Sequence, residues 1–243
     1  MSSRLPANAS RPAVIRQEAQ FLLIVTEGEV TEPAYFAELK KLLGLSNRVQ
    51  VAPKQTFAHV EAAPEHTGSS PDQVLACALQ IKKAGITAQG RKFAYDQVWL
   101  VLDTEAPGTS HRTHLPTLLQ EAPKKGIKVA LSRPCFEAWL ILHLSPSLRS
   151  DLNHKRAARE ALRKILPPGI SSDLDSASMD KLIKHLVPLA PCAVENARRR
   201  DSQVEDDAQG IPQSATSRVH FLVEQLLESA SPSSPFRKTL RPS

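Results

Sequence analysis

The chain is poor in aromatic residues, at 5%, and carries only 9 glycines against 19 prolines. That balance points to stretches with too little apolar material to pack. No apolar run approaches the ~18–20 residues needed to cross a bilayer. The longest runs, 21–25, 98–102 and 138–142, are strand- or core-sized. No secretory hydrophobic region opens the sequence, and its Arg/Ser/Ala bias reads as an untethered tail. Cysteine is scarce. Cys77, Cys135 and Cys192 form no CxxC pair, which argues against a zinc ribbon or a disulfide framework and for a reducing cytoplasm. There is no GxxxxGKS or GxxxxGKT loop, no GxGxxG and no GxSxG, so ATP hydrolysis, dinucleotide redox and nucleophile-elbow chemistry are not expected. His111 and His114 make a lone HxxH, short of the roughly four ligands of a structural zinc site.

What is present suits one domain of ordinary size. The chain has 243 residues, 41% hydrophobic and 23% charged, so a packed core is expected. The net charge is +6 and the pI about 9.3, a balance that favours a polyanionic partner such as nucleic acid.

Periodicity divides the chain. Residues 1–19 and 229–243 are Ser/Pro/Arg-rich and are expected to be disordered tails. Residues 20–145 read as an α/β core and 146–228 as a helical C-terminal part. Strands are expected over 21–26, 48–52, 97–102 and 127–131, with helices over 33–43, from Pro71, over 112–122 and over 134–144. Thr31 and Ser70 are the expected caps of the first two helices. Further helices are expected over 153–166, 176–187 and 190–199, with a last amphipathic one carrying Val219, Leu222, Val223 and Leu226. Alternation of strand and helix argues for a mainly parallel sheet flanked by helices. In such sheets functional residues gather beyond the carboxyl ends of the strands. That rule selects Glu27, Asp103 and the segment 132–137.

These places are rich in acid. Glu27 is followed by Gly28, which lets a ligand approach the backbone, and by Glu29 and Glu32. Asp103 and Glu105 are spaced i, i+2, so in an extended segment they point the same way. Like charges ~4 Å apart repel by roughly 1 kcal/mol in water and about 4 at an effective dielectric of 20. A hard ion such as Mg²⁺ or Mn²⁺ offsets that repulsion, whereas separate turn caps pointing into water need no ion. Glu137 lies in an almost wholly apolar helix, where its charge needs a partner: an ion, Arg133 or His143. Lys155, Arg156, Arg159, Arg163 and Lys164 form a basic helix suited either to tracking a phosphate backbone or to a solvated face.

Three blocks, LLIVTEGEVTEPAYF (22–36), VWLVLDTE (98–105) and LSRPCFEAWLILHL (131–144), resemble the RloB-like family of bacterial defence proteins, with a weaker fourth at PQSATSRVHFLVEQL (212–226). The resemblance implies a TOPRIM-type fold, a Rossmann-like sheet with a catalytic glutamate and a D-x-D pair. It implies metal-dependent phosphodiester chemistry on DNA or RNA, and a locus often shared with a separately encoded ATPase. Carried over, the glutamate is Glu27 and the pair is Asp103 and Glu105, all three as metal ligands, with Glu32, Arg133 and Glu137 as supporting residues. Two departures stand out: the second acid of the pair is Glu105, and Ala106-Pro107-Gly108 replaces a further acid usual in the family. They motivate an alternative, a catalytically degenerate module that binds nucleic acid or an ATPase.

Overall fold

The computed structural model describes residues 20–53, 71–88, 90–104, 110–231 and 234–238. The first strand, β1 (Leu22–Thr26), is buried at all five positions, as a continuous apolar run covered on both faces should be. Helix α1 (Thr31–Leu42) follows, then β2 (Val49–Pro53). Next come α2 (Pro71–Ala84), β3 (Ile86–Ala88), β4 (Arg91–Phe93) and β5 (Gln97–Asp103). Helix α3 (Ser110–Lys124), β6 (Lys128–Arg133) and α4 (Glu137–Leu144) complete the strand-helix alternation. The remainder is helical: α5 (Lys155–Arg163), α6 (Ser176–Leu186), α7 (Ala190–Asp201) and α8 (Val219–Glu228), with a two-residue strand β7 (Thr216–Ser217) before α8. Among the described residues no helix is long and apolar enough to cross a membrane.

Five strands form one sheet in the order β2-β1-β5-β6-β7. The first four run parallel and β7 pairs antiparallel to β6, so the sheet is mixed but mostly parallel. Side chains alternate between its faces. Leu22, Ile24, Trp99 and Val101 enter one core with α1, α4, α6, α7 and α8. Leu23, Val25, Val98, Leu100 and Leu102 enter the other with α2 and α3. The result is a three-layer α/β/α arrangement, as the alternation in sequence predicts.

Several local expectations are corrected. Helix α1 already includes Thr31, so its cap position is Val30 and no side chain caps it; Glu32 complements the positive end of the helix dipole instead. The apolar block after β6 does not start a helix at Pro134. A turn through Pro134 and Cys135 delays α4 until Glu137, which puts that acid in the first helical turn. The β3–β4 hairpin, turned at Gly90 with φ +74°, is too short to leave a periodic signal. Residues 234–238, assigned by composition to a tail, are ordered in part: Pro235–Lys238 forms a 3-10 turn and Phe236 is buried in the core beside α1. The proposed cap Ser70 and the loop 54–70 lie outside the described residues.

Candidate active site

Strand register settles where the acids meet. Thr26 pairs with Val101 across β1–β5, and Asp103 pairs with Ser132 across β5–β6. The carboxyl ends of three neighbouring strands therefore share one edge of the sheet. Beyond Thr26, the Glu27 N–H still donates to the Val101 carbonyl at 3.0 Å, so Glu27 continues the ladder for one residue. Its side chain turns back across the strands, and the Asp103 N–H donates to Glu27 Oε2 at 3.2 Å. The two residues singled out on different strands are thus direct neighbours.

Two more carboxylates join them. Glu32, only 7% exposed, comes from the first turn of α1 and lies against the backbone of Gly28. A Cβ at position 28 would overlap the Glu32 carboxylate. The sequence suggests that this glycine clears space for a ligand; in the structure, the group that fills the space is the protein's own acid. The turn is fastened by Thr26, whose Oγ1 donates to the Gly28 carbonyl at 2.8 Å. Glu137, 5% exposed, comes from the start of α4.

Helix α5 supplies the opposite charge. Lys155 Nζ lies 3.8 Å from Asp103 Oδ2, and Arg159 Nε donates to Glu137 Oε1 at 2.8 Å. The two basic residues stand one turn apart, so they share a face of α5. The neighbours on that helix point elsewhere: Arg156 pairs with Glu160 at 2.9 Å and Arg163 donates to the Ser172 carbonyl at 2.8 Å. The basic residues expected on this helix therefore divide: Lys155 and Arg159 join the acid cluster, Arg156 and Arg163 lie outside it, and Lys164 is the residue that ends the helix.

The electrostatics follow from burial. Burial pushes the Asp103 carboxyl well above the usual carboxylate range; Glu32, Glu27 and Glu137 push it further and Lys155 only partly opposes them. Burial also raises Glu32, against the pull of backbone hydrogen bonding and Lys155. Burial works the same way on Glu137, but the Cys135 thiol, the Arg159 guanidinium and Lys155 outweigh it, so this carboxyl is held below its usual range. The Cys135 thiol itself is raised by burial and by Glu137 and Asp103. The surroundings thus favour the anion at Glu137 and disfavour it at Asp103 and Glu32, a balance that a further cation would shift.

The donor chemistry, buried carboxylate oxygens at a parallel-sheet edge, fits a hard divalent ion. The described residues contain no ready trio of His, Cys, Asp or Glu set to hold one. The third expected ligand, Glu105, lies outside the described residues. The hydroxyl of Thr104, next to Asp103, is buried without a hydrogen-bond partner among the described residues.

The other sequence candidates have different places. Arg133, at the end of β6, donates from Nη1 to the Pro212 carbonyl at 2.5 Å and so ties down the loop before β7. His143 does not pair with Glu137. It accepts from or donates to Tyr35 Oη at 2.9 Å and meets the Trp139 carbonyl through Nδ1 at 2.9 Å. A carbonyl can only accept, so Nδ1 carries the proton and Nε2 accepts from Tyr35. His114 pairs with Asp72 at 2.8 Å. Sequence reasoning placed Lys155 and Arg159 on a binding surface and missed that they complete the acid cluster; the i, i+4 spacing of two bases on an otherwise paired helix was the available signal.

Fold and site define a class: an α/β protein with a charged cluster beyond the carboxyl ends of its central parallel strands. The RloB-like protein family matches residues 22–226, and the chain belongs to that family. No curated protein and no solved structure matches it.

Proposed function

We propose that this chain is a TOPRIM-type, Mg²⁺- or Mn²⁺-dependent nuclease of a bacterial defence system, cutting phosphodiester bonds of DNA or RNA. One observation carries the reading: Glu27 and Asp103 meet across adjacent strands, with the Asp103 N–H on Glu27 Oε2 at 3.2 Å. Glu27 and Asp103, with Glu105, would hold the ion, and Glu32 and Glu137 would shape the field around it. The ion would polarise the scissile phosphate and neutralise charge on its oxygens. In the hydrolysis, a water oxygen bonds to phosphorus, one P–O bond breaks, and the water's protons end on the leaving oxygen and in solvent. Should Glu27 not hold the ion, its half-buried position at the strand end would suit it to take up and return such a proton instead. The charge of +6 supports a nucleic-acid substrate. Free Cys77, Cys135 and Cys192 support a reducing cytoplasmic setting, and a separately encoded ATPase is the partner expected from the family.

A second reading has its own support. Lys155 and Arg159 already neutralise Asp103 and Glu137, as they would in a degenerate module that binds nucleic acid or an ATPase without cutting. Incubating single- and double-stranded DNA and RNA with the protein and Mg²⁺ or Mn²⁺, with and without the ATPase, separates the two. Cleavage lost in Asp103→Asn and Glu27→Gln supports the nuclease. No cleavage by the wild type in any combination, or cleavage untouched by Asp103→Asn, overturns it.

A further inference from the structure

We propose that the edge of the sheet opposite the acid cluster is a docking groove for single-stranded nucleic acid, with Phe93 as the platform on which a base stacks. The inference does not depend on the nuclease reading and holds equally for a module that binds without cutting.

The parallel strands begin at this edge. Leu22 pairs with Val49 on one side and with Gln97 on the other, and Lys128 pairs with Trp99. From Gln97 to Asp103 the strand runs about 20 Å, so this edge and the acids lie at opposite ends of the same sheet. An open groove of about 1360 Å³ crosses the edge, with walls from the β3–β4 hairpin, the turn 45–48 and the end of α8. That exceeds the roughly 300–1,000 Å³ of a small-molecule pocket and suits an extended chain.

The lining matches bases and phosphates. Phe93 stacks on Phe21 with ring centroids 4.8 Å apart and is still 38% exposed, which leaves ring surface for a base. Arg91, two residues earlier on the same strand, shares the side of the hairpin that Phe93 takes, and Arg48 lines the groove from the turn before β2. Gln97 Oε1 accepts from Lys128 at 3.0 Å and Gln225 Oε1 accepts from Trp99 at 3.2 Å, so each amide keeps its NH₂ for a phosphate or base acceptor. Two acids line the groove as well: Asp96, whose Oδ2 accepts the Phe21 N–H at 2.7 Å, and Glu228.

Charge favours the same occupant. Lys82, Lys83 and Lys124 stand in the last turns of α2 and α3, where they complement the helix dipoles. Dipoles do not account for Arg48, Arg91, Lys92 and Lys128, which lie outside any helix and are exposed. A polyanion docking here releases counterions from these cations. An acidic peptide would meet the same charges, but only a nucleic acid brings a π-face with every unit to the exposed ring. The bases of a duplex stack on one another and do not reach Phe93.

The test is binding in EDTA, where metal-dependent cleavage plays no part. Full-length wild type, Phe93→Ala, Phe93→Tyr, Arg91→Ala and Arg48→Ala are titrated into fluorescein-labelled oligothymidylate, oligouridylate and a DNA duplex, and fluorescence anisotropy is read over a range of salt. The wild type is expected to bind single strands more tightly than the duplex, with affinity falling as salt rises. Phe93→Ala should weaken single-strand binding about tenfold, while Phe93→Tyr, which keeps a ring, retains it. Arg91→Ala and Arg48→Ala should each lower the salt slope by about one. Circular dichroism shows whether each variant is folded, and the arginine variants, made on exposed side chains, keep the test decisive if Phe93→Ala unfolds. No binding of single strands, equal affinity for the duplex, a folded Phe93→Ala or arginine variants that bind as the wild type does, or polyglutamate that competes as well as the oligonucleotides overturns the inference. None of these outcomes bears on the nuclease reading, which cleavage in Mg²⁺ decides.

Discussion

Glu32 occupies the space that a side chain at Gly28 would need: a Cβ there would overlap both of its carboxylate oxygens. The glycine is required by volume, not by a left-handed backbone, since its φ is not among the positive ones. Gly28→Ala should therefore expel Glu32 or shift the turn, at about 1–3 kcal/mol. Adding Glu32→Ala in the same chain should restore much of that stability, because the clash has lost its partner. Urea unfolding of the two single variants and the double variant checks this, and strictly additive costs would contradict it.

Burial and three neighbouring acids disfavour the ionised form of Asp103, and Lys155 opposes them only in part. Replacing it by asparagine removes the strained charge but keeps the shape. Asp103→Asn should be more stable than wild type by about 0.5–2 kcal/mol while cleaving nothing. Thermal unfolding and a cleavage assay on one preparation read both effects. A less stable Asp103→Asn would show that the carboxylate is held there at no cost.

Glu137 depends on Arg159. Arg159→Ala leaves an almost fully buried carboxylate with the Cys135 thiol and Lys155, and should cost about 1–3 kcal/mol. Arg159→Lys should recover only part of that, since a lysine cannot reproduce the planar guanidinium contact. Chemical denaturation gives the order expected: wild type, then Arg159→Lys, then Arg159→Ala.

His143 pairs with none of the clustered acids and sets an acid limit on the fold. Burial holds it neutral, with its pKa pushed down to about 4, between Tyr35 and the Trp139 carbonyl. The unfolded chain takes up this proton near pH 6.5 and the folded chain does not, so the stabilisation is complete above pH 6.5 and is lost as pH falls towards 4. The loss attributable to this residue is on the order of 3 kcal/mol. His143→Gln should show a flatter stability profile between pH 6.5 and 4 than wild type, even if its stability at pH 7 is lower.

The sheet was legible because buried parallel strands are written as short unbroken apolar runs, and 22–26 and 97–103 are unmistakable. The meeting of Glu27 with Asp103 followed from topology, since β1 and β5 pair directly although three strands intervene in sequence. Lys155 and Arg159 were legible only as charge. Their pairing with Asp103 and Glu137 depends on how α5 packs on α4, which no local pattern encodes. The role of Gly28 was misread for a similar reason, because the carboxylate that needs its space comes from the next helix. The antiparallel β7 has only two residues, Thr216 and Ser217, and is ordered by the Ser132–Ser217 hydroxyl contact at 2.9 Å more than by propensity.

The segment after α8 folds back on the far end of α1. The Ser231 N–H donates to the Leu43 carbonyl at 2.9 Å, Ser231 packs against Gly44, and Phe236 enters the same core as Leu43 and Leu227. A chain shortened to end at Glu228 would open an apolar socket at that corner and leave a helix-end carbonyl unpaired. Such a truncated protein would become prone to self-association while every residue of the acid cluster remained in its sequence.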